Sequence, residues 1–235
     1  MKKVILFDLY DTVLKDISFD FDAGLEYLHD AFFKQACSLD ELKAYAQTFL
    51  PLYAKRKTDA VEICLIQDEI PLFFEKFGIS KNLDFSELDY TIMNQMQKVT
   101  LLEEVRYTLD ELHKQGIAMY ILSNSIFTGK SAKRLLDDFE ILPYFKNLFS
   151  SADYGIRKPN PKFFQIAIDT IRSDYPEVTT KDILYVGNDY VTDVTGATSM
   201  GLPTAWYNVN HLPNKDNLSI FDIDDFRKLL EIIHQ

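Results

Sequence analysis

The chain has 235 residues, of which 47% are hydrophobic and 26% charged, an ordinary globular composition with ample material for a core. That excludes disordered and collagen-like architectures. With 36 acidic against 25 basic residues the net charge is −11, which argues against broad binding to nucleic acid or to anionic membranes.

The opening run, MKKVILFDLYDTV, has a basic end and an apolar stretch, but Asp8 and Asp11 interrupt it too early for a signal peptide. No apolar run approaches ~18 residues, so no membrane span is expected and a cytoplasmic location is. Val4 to Phe7 reads as a strand buried on both faces, ended by Asp8. The period then changes. Phe21, Leu25, Leu28 and Phe32 step by four, three and four, and Leu42, Tyr45, Phe49 and Leu52 do the same. Ile63, Ile66, Ile70, Phe73 and Phe77 continue to a stop at Gly78, and Leu88, Ile92 and Met96 make a fourth pattern. Residues 16–98 therefore read as an all-helical unit. Its two cysteines, Cys37 and Cys64, lie in separate helical patterns without CxxC spacing and are expected to be buried thiols, not a disulfide or zinc site.

After residue 100 helices and strands alternate. Val105, Leu109 and Leu112 mark a helix stopped by Gly116, and Ile117 to Leu122 a strand ending at Ser123-Asn124-Ser125. A short helix and a strand near Leu148 follow. Asn160-Pro161 is a helix start, with Asn as N-cap and Pro at the first helical position. Ile183 to Val186 is a strand ending at Gly187-Asn188-Asp189, followed by a helix to Met200. Thr204 to Trp206 is the last strand and Phe226 to Ile233 the last helix. This alternation predicts an α/β fold, a Rossmann-like open parallel sheet, interrupted after its first strand by the helical insertion. The core is expected over 1–15 and 99–235, the insertion over 16–98.

Polar residues cluster where the strands end, which is where open parallel sheets bind ligands. Asp8 there suits a carboxylate nucleophile or metal ligand, and equally a turn cap. Ser123 and Asn124 can bind an anion or cap a helix. Lys158 stands between Arg157 and Pro159, with a second proline at 161, so its backbone is restricted. Asp189 and Asp193, four apart, suit a hard cation or simply complement a helix dipole. Lys55-Arg56-Lys57 is a solvated helix end on the plain reading; a distal anionic group is the other.

Taken together these residues resemble the haloacid dehalogenase (HAD) superfamily of hydrolases. Its four ordered motifs match Asp8-Leu9-Tyr10-Asp11-Thr12, Ser123-Asn124, Lys158 within Gly155 to Phe164, and Gly187-Asn188 through Asp193-Val194-Thr195-Gly196-Ala197. The insertion resembles the type 1 cap of subfamily I. The resemblance implies a Mg²⁺-dependent phosphatase of a small phosphorylated metabolite acting through an aspartyl-phosphate on Asp8. Ser123 and Lys158 would hold the transferring group, and Tyr10, Thr12 and Asn124 would contribute to substrate binding. The metal ligands would come from Asp8, the Tyr10 carbonyl, Asn188 or Asp189, and Asp193.

Two positions depart from the motifs. Tyr10 stands where the family has its general acid, and an ordinary phenol, with pKa near ~10, is a poor one. Asp11, one residue on, points the other way in a strand-like backbone. Asn188 replaces a metal-binding aspartate and weakens the expected Mg²⁺ affinity. A tyrosine two residues after the nucleophile also resembles the metal-independent 2-haloacid dehalogenases. Phe164 and Tyr190, however, stand where that branch carries Tyr and Asn. A chain that binds phosphorylated ligands without turnover is the non-enzyme alternative.

Overall fold

The computed structural model describes residues 4–80, 83–214 and 217–234; the basic end at Lys2 and Lys3 lies outside them. Strand β1 (Val4–Phe7) is buried at every position, as an unbroken apolar run in a sheet covered on both faces must be. It pairs in parallel with β4 (Ala118–Ser123) and β6 (Ile183–Gly187). Outward lie β5 (Phe145–Ser150) on one side and β7 (Thr204–Tyr207) and β8 (Phe221–Ile223) on the other. The order is β5-β4-β1-β6-β7-β8, all pairings parallel. The pattern of residues predicts no strand at β8, whose three residues, with Asp222 exposed in the middle, carry too little alternation.

Side chains of β1 alternate between two cores. Ile5 and Phe7 pack with α6 (Glu103–Lys114), α7 (Gly129–Asp138) and α10 (Leu229–Ile232). Val4 and Leu6 pack with α8 (Pro161–Asp174) and α9 (Gly196–Ser199). Asn160 caps α8 through the N–H of Lys162, at 3.0 Å, with Pro161 as its first residue.

The insertion holds α1 (Phe21–Leu28), α2 (Leu39–Ala46), α3 (Leu50–Thr58), α4 (Ile70–Lys76) and α5 (Phe85–Met96). Their apolar stripes join the first core. Start signals are local: Ser38 and Glu41 form a reciprocal capping box on α2, and Asp84 caps α5. The helices are entered and left through an antiparallel ribbon of β2 (Lys15–Phe19) and β3 (Gln97–Thr100). Helical periodicity gives no sign of this ribbon because β2 is largely exposed. Main-chain bonds stitch the insertion to the core: Glu62 N to Gly155 O at 2.9 Å, Arg157 N to Ala60 O at 3.0 Å, and Leu65 N to Ile126 O at 3.0 Å. The Asp89 carboxylate of α5 caps α7 by accepting from Thr128 N and Oγ1 and from Ser131 Oγ.

Both cysteines are free, but only Cys64 is buried. It stands in extended backbone just before a helical turn, not inside a helix. Cys37 is half-buried in the turn after α1, which corrects the expectation of two buried thiols. Among the described residues no helix is long and apolar enough to cross a membrane.

Candidate active site

The ends of β1, β4 and β6 lie in register, Phe7 opposite Ile121 and Val186, so Asp8, Ser123 and Asn188 emerge into one crevice. Lys158 reaches it from the loop before α8. Its ammonium lies 2.6 Å from Asp8 Oδ1 and 2.6 Å from Asp193 Oδ1, and donates to the Tyr185 hydroxyl at 2.9 Å. Tyr185 in turn donates to Asp193 at 2.8 Å. All four side chains are buried.

Burial dominates the electrostatics here. It pushes the Asp8 carboxyl up to about 7, against the pull of the Lys158 charge. Burial alone would push the Lys158 ammonium down, but Asp193 and Asp8 outweigh it and hold the lysine above its ordinary value. Desolvation and Asp193 keep the Tyr185 phenol well above the usual range, hence neutral and able to donate.

Asn124 orients the lysine rather than presenting its amide to a ligand. Oδ1 accepts Lys158 N–H at 2.8 Å, and Nδ2 donates to the Lys158 carbonyl at 3.1 Å. The expected substrate-binding side chain is thus committed to the backbone beside it, where the Lys158–Pro159 peptide is cis. Ser123, fully buried, has a hydroxyl with no protein partner. Thr12 bridges the site, its hydroxyl within reach of Asp8 Oδ2 at 3.2 Å and of Asn188 Oδ1 at 3.4 Å, with one proton to give to either.

Tyr10 is half-buried, its hydroxyl is unpartnered, and desolvation followed by the Asp16 charge raises its phenol further from an acid. Asp11 is directed away, though not by a strand. It sits in a tight turn at φ 57°, bonded to Lys15 Nζ at 2.6 Å. Asp189 also stands apart: it is exposed, and its Oδ1 caps the N–H of Thr192 at 2.7 Å. Asp193 is brought in, but onto Lys158. Gly187 makes this possible, since a Cβ there would meet Asp193 Cγ at 2.5 Å.

The donors fit a hard cation of modest affinity. Oxygens of Asp8 and Asn188 converge on one threonine hydroxyl, and hard cations take oxygen ligands. Only Asp8 brings a full charge there, and among the described residues no cluster of three His, Cys, Asp or Glu side chains surrounds a metal position.

Of Lys55-Arg56-Lys57, the lysines are exposed and Arg56 turns inward. It forms an ion pair with the fully buried Glu62 and lines a cavity beside the site. Glu62 accepts from Ser151 Oγ at 2.8 Å, tying the insertion to the core. Sequence reasoning missed Tyr185 and Glu62. The only signal for Tyr185 is a polar tip within a buried strand, where a phenol generally needs a partner. Phe164 is fully buried, its ring 5.5 Å from Tyr185 and against Gly196.

The chain is similar to several known proteins. The pyrimidine 5'-nucleotidase PynA of Streptococcus pneumoniae is 25% identical over 98% of this chain and 94% of its own. A phosphoglycolate phosphatase of Pseudomonas fluorescens is 24% identical over 98% and 79%. Among solved structures, a 2-haloacid dehalogenase from Pseudomonas syringae superposes with TM-score 0.69 at 20% identity, covering 100% and 99%. The HAD-hydrolase YfnB from Bacillus subtilis, bound to magnesium, gives 0.59 at 20% identity, covering 100% and 99%. Such structural likenesses speak to the fold. The family model for haloacid dehalogenase-like hydrolases matches residues 2–201, and the chain belongs to that family of hydrolases.

Proposed function

We propose that this hydrolase is a Mg²⁺-dependent phosphatase of a small phosphorylated metabolite, with Asp8 as nucleophile. The observation that carries the reading is the buried Asp8–Lys158 pair at 2.6 Å beside the unpartnered Ser123 hydroxyl. A carboxylate, a fixed cation and an unsatisfied donor are what in-line phosphoryl transfer requires.

An Asp8 oxygen attacks phosphorus, the bond to the leaving oxygen breaks, and an aspartyl-phosphate forms. Water then attacks phosphorus, releasing phosphate and restoring the carboxylate. Lys158 and Ser123 hold the phosphoryl oxygens, and Asn124 and Tyr185 keep Lys158 in place. Asp8, the Tyr10 carbonyl and Asn188 would hold Mg²⁺. When bound, that ion offsets the repulsion between carboxylate and phosphate. Tyr10 protonates a leaving group poorly, so esters of good leaving groups should react fastest. Residues 16–98 act as the cap that excludes water from a core of 1–15 and 99–235. The net charge of −11 supports a small-molecule substrate over nucleic acid.

The dehalogenase reading is weaker because Phe164 is a buried packing residue without a hydroxyl. The test is hydrolysis of p-nitrophenyl phosphate with Mg²⁺ or with EDTA, by wild type and Asp8→Asn. Turnover that needs the metal and disappears in Asp8→Asn is expected. No turnover in either condition would shift the assignment to 2-chloropropionate dehalogenation or to ligand binding alone.

A further inference from the structure

Residues 60–65 of the insertion lie along the loops that carry Ser123 and Lys158. Ala60 O accepts from Arg157 N at 3.0 Å and Glu62 N donates to Gly155 O at 2.9 Å, so Val61 pairs antiparallel with Ile156 just before Lys158. Leu65 N donates to Ile126 O at 3.0 Å, just after Ser123-Asn124-Ser125. The main chain of one short strap borders both loops.

The fully buried side chain of Glu62 joins the same two loops a second time. Its Oε2 accepts from Ser151 Oγ at 2.8 Å, and Ser151 Oγ accepts from Ser125 N at 2.8 Å. The single Ser151 proton goes to the carboxylate, a stronger acceptor than Ser125 O at 3.1 Å. Glu62 Oε1 accepts from Ile63 N at 3.0 Å and from Arg56 Nε, and Arg157 Nε stands 3.8 Å from Oε2. A buried carboxylate is costly unless paired, and a fully satisfied buried network is rigid. The partners that satisfy Glu62 include Ser151, which holds Ser125, and Arg157, the residue before Lys158. Ser125 follows Asn124, whose amide grips the Lys158 backbone.

We propose that Glu62 is a positioning residue through which the insertion holds Ser123 and Lys158 in place against Asp8. It touches neither substrate nor reacting atoms. It acts through Ser151 and Ser125 on one loop and through Gly155 and Arg157 on the other. The insertion thereby contributes to the rate at phosphorus, whatever alcohol the phosphate carries. A side chain that met the leaving group would act instead on KM and on the choice among esters. The inference rests on the phosphatase reading above and adds a residue to its machinery.

The test compares wild type, Ser151→Ala, Glu62→Ala and the double variant on two esters with differently shaped alcohols, p-nitrophenyl phosphate and 4-methylumbelliferyl phosphate. Each kcat is referred to the folded fraction, read from a melting curve by circular dichroism. Ser151→Ala removes the bridge to Ser125 but leaves the Arg56 pair and the main-chain strap, so it decides the matter if Glu62→Ala fails to fold. Ser151→Ala should lower kcat about tenfold, by the same factor on both esters and with KM moved less than about twofold. Glu62→Ala should lower it more, on the order of 10²-fold. The double variant should lose less than the product of the two single losses, because both act along one chain of bonds. Folded Ser151→Ala with the kcat of wild type overturns the inference alone, even where its Tm falls, since a merely structural bridge behaves so. Losses carried by KM, or unequal between the esters by more than about threefold, also overturn it and make the bridge a substrate contact. No turnover of either ester by wild type removes the phosphatase reading and this inference with it.

Discussion

The side chain of Asn124 grips the backbone of Lys158 from both sides, accepting its N–H at 2.8 Å and donating to its carbonyl at 3.1 Å. Two segments 34 residues apart are joined at the point where the buried lysine must face Asp8. Asn124→Ala leaves both main-chain groups short of a partner, which costs on the order of 1–3 kcal/mol. In a chain of this length that should lower Tm by roughly 2–10 °C. It should also lower kcat on p-nitrophenyl phosphate about 10²-fold, because the lysine is displaced. Thermal unfolding and steady-state kinetics check the two effects together.

Gly187→Ala places a methyl where Asp193 now stands, 2.5 Å from its Cγ. The aspartate must move, and Lys158 loses one of its two carboxylate partners. Both stability and kcat/KM should fall, the latter by about 10²-fold. Unchanged kinetics would show that Asp193 does not set the lysine's position.

Asn188→Asp adds a second full charge where Thr12 already brings Asn188 and Asp8 together. The Mg²⁺ concentration for half-maximal turnover should fall by at least several-fold. Titrating activity with Mg²⁺ in both proteins measures this directly, and an unchanged midpoint would place the cation elsewhere.

Glu69 makes stability pH-dependent. Burial pushes its carboxyl up to about 7 from an ordinary 4.5. The folded protein therefore takes up a proton below pH 7 that the unfolded chain takes up only near 4.5. Stability from this group rises as pH falls from 7 to 4.5, and its destabilising effect is fully present above 7. Glu69→Gln should raise Tm at pH 8, by an amount on the order of 2–3 kcal/mol in stability, and change it little near pH 4.5. Melting curves at the two pH values decide it; equal shifts at both would assign the effect to packing.

Local patterns in the chain settled a large part of this protein. Unbroken apolar runs such as Val4 to Phe7 and Ile183 to Val186 mark central parallel strands, because burial on both faces leaves no polar position. Helical periodicity gave four patterns over the stretch where the structure has five insertion helices, and the polar residues at the strand ends, among them Asp8, Ser123 and Asn188, pointed to the crevice. Features that escaped this reading depend on long-range geometry. The β2–β3 ribbon is exposed and pairs residues about 80 apart, and β8 is three residues long, so neither leaves a periodic trace. Only the fold decided that Asp189 caps a turn while Asp193 reaches Lys158, since both are acidic and four apart. Only the fold turned Arg56 inward to Glu62 and left Lys55 and Lys57 in solvent. The same holds for Tyr185, whose hydroxyl meets Lys158 because two strands and a loop converge. Sequence specifies which groups are available. Burial and the register of distant segments decide which of them meet.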